Sequence, residues 1–154
     1  MAKINLQIAV KDKSNIPDKL FLKQCVDLVL DDLPKNTEIT LRVVDEAEMI
    51  ELNHTYRQKN SATNVLSFPA ELPDDIQLNY LGDVVICQSV MEQESCEQQK
   101  SLKSHWAHLF IHGILHLRGY DHVEEDDAVE METLEIDLLK QLGFANPYIS
   151  MEKK

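Results

Sequence analysis

The run HGILHLRGYDH, residues 112 to 122, sets three imidazoles at the spacing of a catalytic metal site. His112 and His116 are four apart in a helical pattern, so their rings project from one face at neighbouring turns, about 6 Å apart at Cβ. That separation suits two ligands of one tetrahedral ion, whose zinc–nitrogen bonds are about 2.0–2.1 Å. Gly119 then breaks the helix, because glycine reaches left-handed backbone angles without strain, and the chain can swing back to bring His122 toward the same ion. Neutral imidazoles favour zinc, with nickel, copper and iron left open, and three protein ligands rather than four leave a coordination position for chemistry. Of the other histidines nearby, His108, one turn before His112, could support a ligating residue, with a packed or capped role favoured over that, and His105 is expected to be solvated.

The position after His112 is Gly113. Zinc peptidases of this spacing carry a glutamate there, which takes a proton from water and passes it to a leaving amine. Zinc by itself lowers the pKa of its water to about 7, so a substrate that needs a cation more than a base stays within reach. A phosphodiester is such a substrate, since negative charge accumulates on its oxygens as the nucleophile arrives. Arg57 can supply the cation: a planar guanidinium donates two parallel hydrogen bonds to phosphate and stays charged at any working pH. Arg57 and Lys59 are the only formal charges between Leu52 and Ala70, and Lys59 is placed to help track a strand. Asp121, the nearest acid to His122, could serve as a base or support a ligand, with a loop-capping role equally open to it, and Asp83 is expected in a turn.

These residues need a scaffold. INLQIAV, residues 4 to 10, and EITLRVV, residues 38 to 44, alternate with period two and read as strands; NVLSF (64 to 68) and GDVVIC (82 to 87) are two more. Pro17 suits the first turn of a helix with an apolar stripe through Leu20, Phe21, Cys25, Leu28 and Val29, ending before Pro34. Asp45 with Glu48 three residues on predicts an N-capping box for a helix reaching about Tyr56. Further helices are expected at 88 to 98, 102 to 118 and 125 to 142, the last carrying Val129, Leu134, Ile136, Leu138 and Leu139 among its acids. A long polar excursion runs from Pro69 to Asn79. The order predicts an α+β fold, a small mixed four-stranded sheet packed with about five helices, in one domain over residues 1–154.

The net charge of −12 argues against a general nucleic-acid binder, yet residues 121 to 140 hold nine acids and one base, so the charge is concentrated there. A basic loop can therefore face phosphate while the acidic helix faces water or, as a lesser alternative, docks a basic protein. No window approaches the roughly 20 apolar residues of a membrane span, and the N-terminus lacks a signal-peptide pattern, so a cytoplasmic protein without membrane contact is expected. Cys25, Cys87 and Cys96 match no metal or redox spacing and are expected to be buried free thiols.

HGILHLRGYDH, with NHTYRQKNSATNVLSFP (53 to 69) and GDVVIC, resembles the YbeY family of bacterial metal-dependent endoribonucleases, over most of the chain from Leu52 to Tyr148. The family motif H-G-x-L-H-L-x-G-Y-D-H is matched at every fixed position. The loop keeps Arg57, Lys59, Thr63 and Val65 to Pro69 of the form R-G-K-D-x-P-T-D-V-L-S-F-P, and departs from it at Gln58, Asn60, Ala62 and Asn64. The resemblance implies one zinc ion held by His112, His116 and His122, a conserved arginine at Arg57 and a zincin-like fold. It also implies a role in maturation of the 3′ end of 16S rRNA and in ribosome quality control, and with it single-stranded rRNA and small-subunit components as partners; in the lesser reading of the acidic helix, the basic protein docked there would be a ribosomal one. Two alternatives stay open: a zinc metallopeptidase-like hydrolase, and a non-catalytic ribosome-assembly binder with a structural metal.

Overall fold

The computed structural model describes residues 2–70, 79–120 and 125–148. Four strands, β1 (Lys3–Ile8), β2 (Glu38–Val44), β3 (Val65–Pro69) and β4 (Tyr80–Cys87), form one sheet in the order β1-β2-β4-β3. β1, β2 and β4 are parallel, and β3 runs antiparallel to β4 as an edge strand. Among the described residues five helices accompany them: α1 (Lys19–Val29), α2 (Glu46–Arg57), α3 (Gln88–Glu97), α4 (Leu102–Leu117) and α5 (Glu125–Gln141). The mixed sheet and helix count agree with the sequence pattern.

β2 is central, and its alternation is only part of its burial. Ile39, Leu41 and Val43 face the larger core, while Val44 joins Met49, Leu66, Val85 and Cys87 in a smaller one on the opposite face. α4 lies in the larger core, packed on β3, β4, α1, α3 and α5. Its Phe110, Ile111 and Ile114 are fully buried, each removal from water stabilising the fold by about 1.5–3 kcal/mol. The helix carrying the imidazoles is thus among the most firmly anchored elements.

Caps set the helix starts. Asp18 Oδ1 accepts from the Phe21 amide at 2.8 Å, which makes Asp18 the N-cap of α1 and puts Pro17 before the helix rather than in its first turn. Leu20 is exposed, and Leu22 and Val26 join Phe21, Cys25 and Val29 on the buried face instead. Asp45 caps α2 through the Glu48 amide at 2.9 Å, but the Glu48 carboxylate does not complete the box. It turns to Arg42, bonding Nε at 2.6 Å and Nη2 at 3.0 Å. Cys25 and Cys87 are buried free thiols as expected, whereas Cys96 is exposed. The excursion after Pro69 lies, from residue 71 to 78, outside the described residues. Among the described residues no helix is long and apolar enough to cross a membrane.

Candidate active site

Ser101 caps the start of α4, its hydroxyl accepting from the Ser104 amide at 3.1 Å, and Gly119, with φ +96°, lies just past the helix end. There the Gly119 amide reaches the His116 carbonyl at 3.0 Å and the Tyr120 amide reaches Leu115 at 3.1 Å, the paired bonds of a glycine-terminated helix. Gly119 therefore stops the helix one turn past His116, as its position in the motif predicts. His122 and Asp121 lie outside the described residues.

His112 and His116 stand side by side, ring centroids 4.6 Å apart and planes at 81°. Their Nε2 atoms are 3.1 Å apart. Both rings line a cleft of about 500 Å³ whose other walls include Arg57, Thr63, Asn64, Val65, Ser67 and Pro69. Arg57, the last residue of α2, is exposed and donates from Nη2 to the Ser67 carbonyl of edge strand β3 at 3.2 Å. The fold thus brings together three of the four residues singled out by the sequence. Lys59 is exposed on the following loop, where its amide donates to the Asn53 carbonyl and the Asn53 side chain donates to Ser61.

Gly113 faces the other way. A Cβ there would lie 2.6 Å from Val84 Cγ1 and 3.3 Å from Ser67 Oγ, and Val84 is fully buried. The Gly113 carbonyl accepts from Ser67 Oγ at 2.9 Å. The position at which a peptidase carries its glutamate is therefore closed by helix–sheet contact, with no room for a carboxylate.

The principal residue that sequence reasoning missed is Glu135. Its side chain is 0% exposed, and its carboxylate accepts from three sides: His112 Nδ1 at 2.7 Å, His108 Nε2 at 2.8 Å, and the Tyr148 hydroxyl. Burial alone would raise its pKa, but the hydrogen bonds from His108, His112 and Tyr148 hold it down at about 2. Burial and the Glu135 carboxylate push the Tyr148 phenol well above its ordinary range. An ionised carboxylate only accepts, so His112 carries its proton on Nδ1 and turns the Nε2 lone pair toward His116 and the cleft. The signal was present: Glu135 stands on the apolar stripe formed by Met131, Leu138 and Leu139, whereas Val129, expected on that face, is exposed.

His105 is not solvated. It is buried, bonded through Nε2 to Glu94 Oε1 at 2.9 Å, and burial lowers its pKa even though Glu94 opposes the shift. Glu94 also accepts from Asn64 Nδ2 at 3.1 and 3.3 Å, tying the cleft wall to α3. Asp83 is not in a turn; it sits within β4, accepting from the Tyr80 hydroxyl.

The two imidazoles fit a metal. Ligands at about 2.0–2.1 Å around a tetrahedral ion stand about 3.3–3.4 Å apart, close to the 3.1 Å between the Nε2 atoms. A carboxylate fixing the far nitrogen of a ligating ring is the usual outer support of such sites. Among the described residues no third histidine, cysteine, aspartate or glutamate completes a ligand set.

A mixed four-stranded sheet, an antiparallel edge strand along a cleft, and a buried helix presenting two histidines one turn apart define a zincin-like α+β fold. The solved structure of TM1509 from Thermotoga maritima is similar throughout, with a TM-score of 0.57 and 23% identity over 97% of this chain and 99% of that one. The family profile described as Endoribonuclease YbeY matches residues 7–143, and the chain belongs to that family.

Proposed function

We propose that the protein is a zinc-dependent endoribonuclease that cuts single-stranded RNA, with His112, His116 and His122 holding the ion and Arg57 holding the scissile phosphate. The observation that carries the reading is that Arg57 and the paired imidazoles line one cleft along the edge strand β3. When bound, zinc supplies Lewis acidity toward a phosphoryl oxygen or water. The chain supplies the rest. Glu135 keeps a His112 proton on Nδ1, which leaves Nε2 as the atom that faces the ion. Arg57 exchanges its single 3.2 Å bond to a carbonyl for paired bonds to phosphate, where its charge opposes the negative charge that grows during attack. Gly113 contributes no base, which suits a phosphodiester better than an amide.

The substrate we infer is rRNA, in maturation of the 3′ end of 16S rRNA and in ribosome quality control, in the cytoplasm. With a net charge of −12 the protein holds naked RNA weakly, and small-subunit components supply the remaining affinity. The test is to incubate zinc-loaded protein with labelled single-stranded RNA, duplex RNA and a peptide mixture, with and without chelator. Cleavage of the single strand alone, abolished by chelator, is expected. Arg57→Ala should lower turnover by about 100-fold while zinc content stays near one per chain. Cleavage of peptides, or of nothing by a folded zinc-loaded protein, would overturn the reading.

A further inference from the structure

Tyr56 precedes Arg57 on the last turn of α2, and the residue is 60% exposed. A lone exposed aromatic means little. This one is fixed in place. Its ring meets Phe68 edge to face, centroids 5.1 Å apart at 64°, and the Arg57 guanidinium carbon stands 5.9 Å from the same Phe68 ring. Phe68 lies between Ser67 and Pro69, both of which line the cleft. Tyr56 is therefore a neighbour of the phosphate-binding group through a shared support, and its hydroxyl makes no hydrogen bond among the described residues.

We propose that Tyr56 is a stacking platform for one nucleobase of the bound strand, next to the nucleotide whose phosphate Arg57 holds. The proposal rests on the single-strand reading above and names how the strand is gripped. Single-stranded nucleic acid is held by a cationic track for the backbone and aromatic faces for the bases. Arg57 and Lys59 provide the first, being the only charges between Leu52 and Ala70.

The surroundings of Tyr56 sort base from backbone. Beyond it opens a hollow of about 520 Å³ lined by Asp45, Glu48, Glu51, Leu52 and Thr55. Asp45 caps α2 and Glu48 is bonded to Arg42, so both acids are held in place. Asp45 and Glu51 repel phosphate, Glu48 being paired with Arg42, and an uncharged base edge with an amino group is accepted. A strand passing this point turns its base toward Tyr56 and its backbone toward Arg57 and Lys59.

The experiment measures binding without cleavage. Metal-free protein at low salt is titrated into fluorescein-labelled oligoadenylate and into an abasic strand of the same length, for wild type, Tyr56→Phe and Tyr56→Ala. Tyr56→Phe should bind oligoadenylate as wild type does, and Tyr56→Ala on the order of tenfold more weakly. All three should bind the abasic strand alike. With circular dichroism showing each variant folded, undiminished binding of oligoadenylate by Tyr56→Ala would overturn the platform. So would an equal loss on the abasic strand, or no binding by wild type. Cleavage assays on zinc-loaded wild type decide the nuclease reading separately, so failure of one is not mistaken for failure of the other.

Discussion

Two imidazoles of α4 meet carboxylates from neighbouring helices, and the pairs are turned opposite ways. At the start of the helix the His105 side chain is 3% exposed and its partner Glu94 26%. Farther along, Glu135 is 0% exposed and His112 is 22%. In the first pair the charge is partly exposed, and the ring is a neutral peg in the core. In the second the charge is buried, which is tolerated because three donors surround it, and its field fixes which nitrogen of an outward-facing ring carries the proton. The same two side-chain types thus give a structural contact in one orientation and a poised ligand in the other.

The sharpest way to break that distinction is to remove the charge from each pair. Glu135→Gln replaces an acceptor of three bonds with a group that must present an NH2 to one of its donors, and loss of a buried hydrogen-bonded charge costs roughly 3–5 kcal/mol. Glu94→Gln keeps an acceptor at the surface and should cost about 1 kcal/mol. Urea denaturation of both variants measures the gap. Glu135→Gln should also let the His112 proton move to Nε2, visible in long-range nitrogen–proton spectra, and weaken zinc binding by about 10- to 100-fold. Equal costs for the two substitutions would make the opposite burial patterns irrelevant.

A smaller effect is expected from Gly113→Ala, which acts on the sheet side of the helix just where the outward ring stands. The new methyl meets the buried Val84 at 2.6 Å, an overpacking of about 1–3 kcal/mol, partly offset by about 1 kcal/mol of helix propensity. If α4 shifts to relieve the clash, His112 and His116 move with it while His105, two turns earlier, stays on Glu94. Zinc affinity should therefore fall with the His105 contact preserved. Denaturation midpoints alongside zinc competition titrations check this.

How much of this arrangement was legible follows the range of the interactions. Alternating strands, the glycine stop at Gly119 and the imidazole pair at 112 and 116 are local patterns, and each appears where its spacing predicts. The shared cleft with Arg57 depends on β3 lying at the sheet edge beside α4, which no local period encodes. Glu135 was hidden for another reason. In a helix with eight other acids within or just before it, one more carboxylate reads as solvent-facing, and only its place in step with Met131 and Leu138 sets it apart. His105 was misread because a lone polar residue in an apolar helix gives no sign of a partner on another helix.

Acid separates the pairs again. His105 has its folded pKa lowered by burial, so below the unfolded value of 6.5 the unfolded chain takes up the proton first. Its contribution is complete above about 6.5 and is lost as pH falls toward its folded pKa. Glu135 has its folded pKa at about 2 against 4.5 unfolded, so its contribution is complete above about 4.5 and is lost only as pH falls toward 2. Stability measured on wild type, His105→Gln and Glu135→Gln at pH 7.5, 5.5 and 3.5 should show the His105 difference shrinking between the first two values. The Glu135 difference should shrink only at the last. Identical pH dependence of the two differences would contradict the assignment of a neutral ring to one pair and a buried charge to the other.

The smallest expected effect concerns the link from the structural pair to the cleft. Asn64 lines the cleft and donates to both oxygens of Glu94, whose Oε1 also receives His105. Asn64→Asp, the residue of the common family form of this loop, would set two carboxylates against each other. The cost should be on the order of 1 kcal/mol, because Glu94 is partly exposed and solvent screens the repulsion. Adding Glu94→Gln, which can donate to the new aspartate, should recover most of the loss, giving a favourable coupling in a double-mutant cycle. Additive effects would mean that the Asn64 bond does not hold this wall, and that α3 and its contact with His105 are independent of the cleft.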